Sequence, residues 1–186
     1  MKSYSAFYVR TENPEKARQR FRSVEPVAGS PWWLCDFRMA AAPPNDDVLW
    51  GNAALAVPPS RLAGEVLFLF GDVPTGGFVF EHARDGALLR KLVWYPLLDD
   101  DWTPGWLCAQ GEPEAWEAAL FRDDQLDAVL EAERSRLEND PGAWAVTERE
   151  LRRSWEARRI QAGKTYPPAD GTVAQLVERS YGIRRP

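Results

Sequence analysis

The stretch EVLFLFGDVPTGGFVFEHARDGALLRKLVWYP, residues 65–96, decides the fold. Residues 65–70 form an almost continuous apolar run, which is typical of a strand buried on both faces. Residues 71–77 then return the chain. The segments 78–83 and 87–95 flank Asp85-Gly86, a dipeptide that is the strongest short signal for a β-hairpin. The stretch therefore predicts three consecutive antiparallel strands.

A two-residue turn at Asp85-Gly86 also predicts which residues of the two flanking strands lie opposite each other. The predicted pairs are Ala83–Leu88, His82–Leu89 and Glu81–Arg90. Opposite charges at directly paired positions stabilise a sheet by about 0.2–1 kcal/mol, which supports this register. One face of the hairpin would carry Val79, Glu81, Arg90 and Leu92. The other face would carry Phe78, Phe80, His82, Leu89, Lys91 and Val93.

Before this stretch, the sequence predicts a β-α unit and two further strands. Residues 5–9 and 32–39 have the apolar and aromatic content of strands. Between them, Asn13-Pro14-Glu15 has the residue types preferred at the cap, first position and first turn of a helix. Residues 48–57 are ambiguous, and we expect a short strand there.

After residue 110 the pattern is helical. We expect a short helix over 112–121, a longer one capped by Asp124, one that begins with the capping box Thr147–Glu150, and a last one over 172–181. Strands followed by helices indicate an α+β fold: a mainly antiparallel sheet, made of the N-terminal β-α unit plus a β-meander, covered by C-terminal helices. We expect one domain over 1–186, with a sheet-rich part at 1–110 and a helical part at 111–186.

Composition excludes several classes of function. The formal net charge of -5 gives no electrostatic reason to bind nucleic acid. Two cysteines are too few for a disulfide framework, and together with a single histidine they are too few for a zinc site. No N-terminal apolar stretch predicts a signal peptide, and the longest apolar run, 66–70, is too short to span a membrane. We therefore expect a cytoplasmic protein that binds neither nucleic acid nor membrane.

Charge is distributed unevenly along the second half of the chain. Residues 94–140 carry 13 acids and 3 basic residues, whereas residues 141–186 carry 5 acids and 9 basic residues. Two interpretations follow: an internal pairing of an acidic and a basic layer, or an acidic surface offered to a basic partner. Charged faces usually have structural roles, so the pattern favours internal pairing.

Motifs for catalysis are incomplete. Gly71–Gly77 follows an apolar strand but lacks the Lys and Ser or Thr that a phosphate-binding loop needs. Any serine or cysteine hydrolase mechanism would have to use His82, the only histidine, and no Gly-x-Ser-x-Gly elbow is present. The pattern favours a structural strand histidine, and no cofactor is predicted.

The segment WYPLLDDDWTPGW, residues 94–106, combines four aromatic residues with three aspartates. Carboxylates suit Ca²⁺ or Mg²⁺, but the alternating acids of an EF-hand loop are absent, so a solvated turn is favoured and no metal is predicted. The segment nevertheless supplies most of the candidate binding residues. They are Asp99, Asp100, Asp101, Trp102 and Trp106, together with His82.

Two hypotheses for function follow. The first is a non-catalytic binding or protein-interaction module whose partner is another protein, for example a basic toxin that an immunity protein would neutralise. The second is a small-ligand-binding protein or a hydrolase-type enzyme that uses acidic residues, with or without metal assistance. The weak catalytic motifs favour the first hypothesis. The oligomeric state is not predicted.

Overall fold

The computed structural model describes residues 3–96 and 103–183, and it shows seven antiparallel strands in one sheet. The strand order is β2-β3-β1-β4-β5-β6-β7, so the predicted meander β4-β5-β6 lies next to the N-terminal unit, and β7 extends it. The strands are β1 Tyr4–Arg10, β2 Val24–Pro26, β3 Trp32–Met39, β4 Glu65–Asp72, β5 Gly77–Arg84, β6 Ala87–Pro96 and β7 Pro104–Gly111.

Helices cover both faces of the sheet. The helices are α1 Pro14–Arg18, α2 Asp46–Leu49, α3 Val57–Ala63, a 3-10 helix Ala115–Leu120, α4 Asp123–Arg136, α5 Pro141–Ala157 and α6 Val173–Ser180. The predicted α+β fold is confirmed. None of the helices in the described part of the chain is long and apolar enough to cross a lipid bilayer.

Two apolar cores lie on opposite faces of the sheet. On the first face, the 3-10 helix, α5 and α6 pack over residues such as Tyr8, Phe80 and Trp106. On the second face, α1, α2 and α3 pack over Val66, Phe68 and neighbouring side chains. The prediction that C-terminal helices cover the sheet therefore holds for the first face only. We call this first face the C-helix face. The second is the N-helix face.

The turn at Asp85-Gly86 is confirmed, because both residues have positive φ angles (50° and 85°) and Ala83 pairs with Leu88. The predicted pairing beyond it is wrong. A β-bulge at Leu89 shifts the register, so the partners are His82–Arg90 and Glu81–Lys91. Side chains alternate between faces along a strand, so one inserted residue moves every following side chain to the other face. Arg90 thus joins His82 on the C-helix face, and Lys91 joins Glu81 on the N-helix face.

Three predictions outside the sheet are also wrong. Asp124 does not cap α4, because that helix begins at Asp123 and Asp124 lies in its first turn. Residues 48–57 contain helix rather than strand, because Asn45 caps α2 by accepting a hydrogen bond from the Val48 amide at 3.1 Å. Thr147 lies inside α5 rather than at its start. Asp140 caps that helix with a 2.9 Å hydrogen bond from the Ala143 amide, and Pro141 occupies its first position.

Candidate functional site

Of the predicted site residues, Asp99, Asp100, Asp101 and Trp102 lie outside the described residues, and Trp106 and His82 lie within them. The Trp106 side chain is fully buried, and its ring donates a 2.9 Å hydrogen bond to the Pro167 carbonyl. It packs edge-on against Phe78 and Trp94. Trp106 is therefore a core residue of the C-helix face, with no solvent-facing surface to offer a ligand.

His82 lies between two carboxylates. Its Nδ1 is 2.6 Å from Oε1 of Glu114, and its Nε2 is 2.9 Å from Oε1 of Glu65. Only 7% of His82 is exposed. A carboxylate only accepts hydrogen bonds, so both ring nitrogens donate when the ring carries two protons. Each ring nitrogen of His82 is therefore held by a carboxylate.

Glu114 is the centre of this cluster, because its carboxylate accepts hydrogen bonds from several donors. Besides His82, they are the Trp116 ring nitrogen at 2.9 Å, the Tyr181 hydroxyl, and the backbone amide of Glu117 in a capping box. Burial and the nearby charge of Glu114 raise the pKa of Tyr181 far above its usual value. Tyr181 therefore stays a neutral phenol that donates to Glu114, and it ties the end of α6 to the sheet.

Glu65 connects the cluster to the surface. Burial alone would raise the pKa of Glu65, but hydrogen bonds and charges from Arg84 and His82 outweigh it and leave the pKa lowered. The donor atom of Arg84 is 2.9 Å from Oε1 of Glu65. Leu67 lies directly opposite His82, and Glu65 shares its face of β4. A correct β4–β5 register would thus have predicted the contact between Glu65 and His82.

Replacing Glu65 with glutamine is expected to lower the free energy of unfolding at pH 7 by about 2 kcal/mol, the usual value for lost hydrogen bonds to a charged group. A carboxyl group whose pKa is lowered by folding stabilises the protein above its unfolded-state pKa, and this contribution is lost as the pH falls through the folded-state pKa. Urea unfolding at pH 7 and pH 3 should therefore show a smaller acid-induced loss of stability in the variant than in the wild type. The exposed Glu25→Gln serves as the control. Equal losses in the wild type and Glu65→Gln would contradict the prediction.

A second buried ion pair adjoins this cluster. Arg90 donates two hydrogen bonds to the Glu117 carboxylate, from Nε at 2.8 Å and from its terminal nitrogen at 2.6 Å. Glu117 also accepts from the Glu114 amide at 2.8 Å, so the two groups form one continuous network. The pairing of Arg90 with Glu117 could not be read from the sequence, because the bulge at Leu89 decides which face Arg90 occupies.

The described residues place no serine, threonine or cysteine in contact with His82. The Tyr181 hydroxyl lies 3.1 Å from its Nδ1, but it is a neutral phenol that donates to Glu114. Burial, with a smaller contribution from the charge of Asp36, raises the pKa of the Cys35 thiol to about 12. Burial also raises the pKa of Cys108. Both cysteines are therefore neutral thiols, which are poor nucleophiles. The Ser60 hydroxyl donates to the Val57 carbonyl and accepts from the Gly86 amide, away from any imidazole. The network around His82 can position helices, but it lacks the nucleophile–base pair of a hydrolase.

A separate surface is formed by the hairpin of α4 and α5. None of the 14 residues of α4 is buried, and α5 buries only Leu151, Ser154 and Trp155. The acids on the outside of α4 are Asp123, Asp124, Asp127 and Glu131, all exposed.

No ion pair between described residues joins α4 to α5, although Asp124 pairs with Arg122, just before α4, and Glu150 pairs with Lys164, beyond α5. Arg136 pairs with Glu133 in α4, and Arg152 pairs with Glu148 in α5. Within 3–96 and 103–183, no ion pair joins residues 94–140 to residues 141–186. The internal pairing of an acidic and a basic layer, which the sequence favoured, is therefore not seen between the described side chains.

Across the described ranges, no group of three or more His, Cys, Asp and Glu side chains has an arrangement that could hold a metal ion. Comparison of the whole chain with protein-family models, with curated proteins and with solved structures finds no significant match.

Proposed function

We propose that this chain is a non-catalytic protein-binding module that recognises a basic partner through the acidic face of α4. The observation that carries the proposal is that α4 buries no residue, while its acids are not neutralised by the arginines of α5. Leu126, Val129 and Leu130 pack on the core but stay partly exposed, so the inner face of α4 is held only in part. A partner on the outer face of α4 would add contacts to a helix of marginal length.

The negative charge of the α4 surface favours a basic partner. Residues 94–140 carry a large excess of acids, and α4 holds five of them against two arginines. Complementary charge accelerates encounter with a basic protein and disfavours acidic ones. The hydrolase hypothesis has less support, because both nitrogens of His82 are engaged and both cysteine thiols are neutral.

Reversing two charges on α4 tests this proposal. Asp127→Lys/Glu131→Lys is expected to weaken binding of a basic partner at least about tenfold, since each exposed charge contributes up to about 1 kcal/mol. Affinity capture from the native source at low and high salt should return a basic protein that the wild type binds and that salt releases.

A control of equal net charge is Glu12→Lys/Glu25→Lys, whose residues are exposed and lie outside α4. This control should retain the partner. Loss of the partner in both variants would point to net charge rather than to α4. Capture of no basic protein, or unchanged capture by the α4 variant, would contradict the proposed function.

A further inference from the structure

At one end of the sheet, three charged residues form a single row across adjacent strands. Arg10 of β1 lies directly opposite Glu65 of β4, and Glu65 lies directly opposite Arg84 of β5. Neighbouring strands are about 4.8 Å apart, so the two arginine Cα atoms are about 10 Å apart, within reach of one small molecule. The row borders a cleft of about 430 Å³, a volume typical of small-ligand sites.

Glu65 accepts a hydrogen bond from only one of the two arginines. Its Oε1 already accepts hydrogen bonds from His82 and Arg84, both at 2.9 Å. Arg10 is 3.7 Å from Oε2, which is beyond hydrogen-bond distance. The side chains of Arg10 and Arg84 are 57% and 53% exposed, so both present unused guanidinium donors to the cleft. A guanidinium has five donors in a planar fork that matches a carboxylate.

Acids at the rim add the opposite charge. Glu12 follows Arg10 by two residues, Asp85 follows Arg84 directly, and both line the cleft and are exposed. A simple anion would gain from the arginines and be repelled by these carboxylates. A molecule that carries both charges would gain from both sets of groups.

We propose that this cleft binds a small zwitterion of the α-amino acid class, whose carboxylate contacts Arg10 and Arg84 and whose ammonium faces Glu12 and Asp85. The remaining lining includes Pro31 and Gly64, which leave room for a side chain without adding charge. The site does not involve α4 and is independent of the proposed protein-binding function.

Calorimetric titration with alanine, N-acetylalanine, alanine amide, acetate and inorganic phosphate tests the proposal. Alanine should bind, and the four probes that lack one of the two charges should bind at least tenfold more weakly. The guanidinium Nε–H signals of Arg10 and Arg84 should shift in NMR spectra when alanine is added. Acetate or phosphate binding as well as alanine would overturn the zwitterion assignment, and no binding by any probe would overturn the site.

Variants separate the site from the stability of the fold. Arg10→Gln should weaken alanine binding at least tenfold and leave the melting temperature nearly unchanged, because Arg10 makes no close hydrogen bond to Glu65. Arg10→Lys keeps the positive charge but loses the planar donor fork of the guanidinium. This variant should bind alanine with intermediate affinity. The exposed Arg20→Gln, outside the cleft, should bind alanine like the wild type. Undiminished alanine binding by Arg10→Gln would overturn the proposal.

Discussion

Replacing Lys91 with methionine is expected to destabilise the protein by about 3–5 kcal/mol, the usual cost of removing one partner from a buried ion pair. The Lys91 side chain is fully buried on the N-helix face. Its ammonium is 2.9 Å from Oε1 of Glu81 and also donates to the Ala53 carbonyl. Methionine fills a similar volume but leaves the Glu81 carboxylate in the core with only the Ala56 amide, at 2.8 Å, to compensate its charge.

The double variant Glu81→Met/Lys91→Met separates charge from packing. Buried ion pairs replaced by apolar side chains of similar size are often neutral in stability. Here the buried Ala56 amide would lose its partner, at about 1–3 kcal/mol, and the Ala53 carbonyl would lose its Lys91 donor. We therefore expect the double variant to be less stable than the wild type but about as stable as Lys91→Met or more so, with a strongly non-additive cycle.

Urea unfolding of the wild type, the two single variants and the double variant measures this coupling. The exposed Lys16→Met is the matched control and should change the free energy of unfolding by less than about 0.5 kcal/mol. A Lys91→Met variant within about 1 kcal/mol of the wild type would show that Glu81 is neutral or hydrated in the fold, and the prediction would then be wrong.

The strands and turns could be predicted because their signals are local. The apolar run of β4 and the Asp85-Gly86 turn depend on residues within a few positions of one another, and both are confirmed. The same holds for Asn13, which caps α1 by accepting from the Glu15 amide at 3.0 Å. Residues 48–57 show the limit of this approach, because the Asn45 cap lies outside the segment from which a strand was expected.

Of the cluster around His82, only His82 itself was predicted as a site residue, because the other members are far from it in the sequence. His82 contacts Glu65, Glu114 and Tyr181, which lie 17, 32 and 99 residues away. No spacing rule relates such positions, and only the topology of the sheet and α6 brings them together. The predicted faces of Arg90 and Lys91 were wrong for another reason. A single inserted residue at Leu89 reverses both side chains, and no local signal of the β6 sequence marks that insertion.

Replacing Gly111 with alanine is expected to cost about 3–5 kcal/mol, because the added methyl group would collide with this bulge. Gly111 lies opposite Arg90 at the end of β7. Its φ angle is 83°, and a Cβ atom there would be 1.9 Å from the Leu89 carbonyl oxygen. Backbone atoms cannot move aside as a flexible side chain can.

Two terms contribute to this cost. The left-handed conformation alone costs alanine about 1–2 kcal/mol. The collision adds the strain of displacing Leu89, and relieving it by straightening β6 would slip the register by one residue. That slip would move Arg90 away from Glu117 and Lys91 away from Glu81, so both buried ion pairs would be lost together.

Gly163→Ala measures the cost of the left-handed conformation alone, without the collision, and is therefore the matched control. Gly163 has a similar φ angle of 78°, but no atom lies within 4 Å of the position that its Cβ would occupy. Chemical unfolding should therefore give a loss of about 1–2 kcal/mol for Gly163→Ala and at least about 2 kcal/mol more for Gly111→Ala. Backbone amide NMR of Gly111→Ala should also show large shifts at Leu89, Arg90 and Lys91. Equal losses in the two variants would mean that the bulge changes shape without a cost in free energy. The faces of Arg90 and Lys91 would then be set by their ion pairs rather than by the backbone at Gly111.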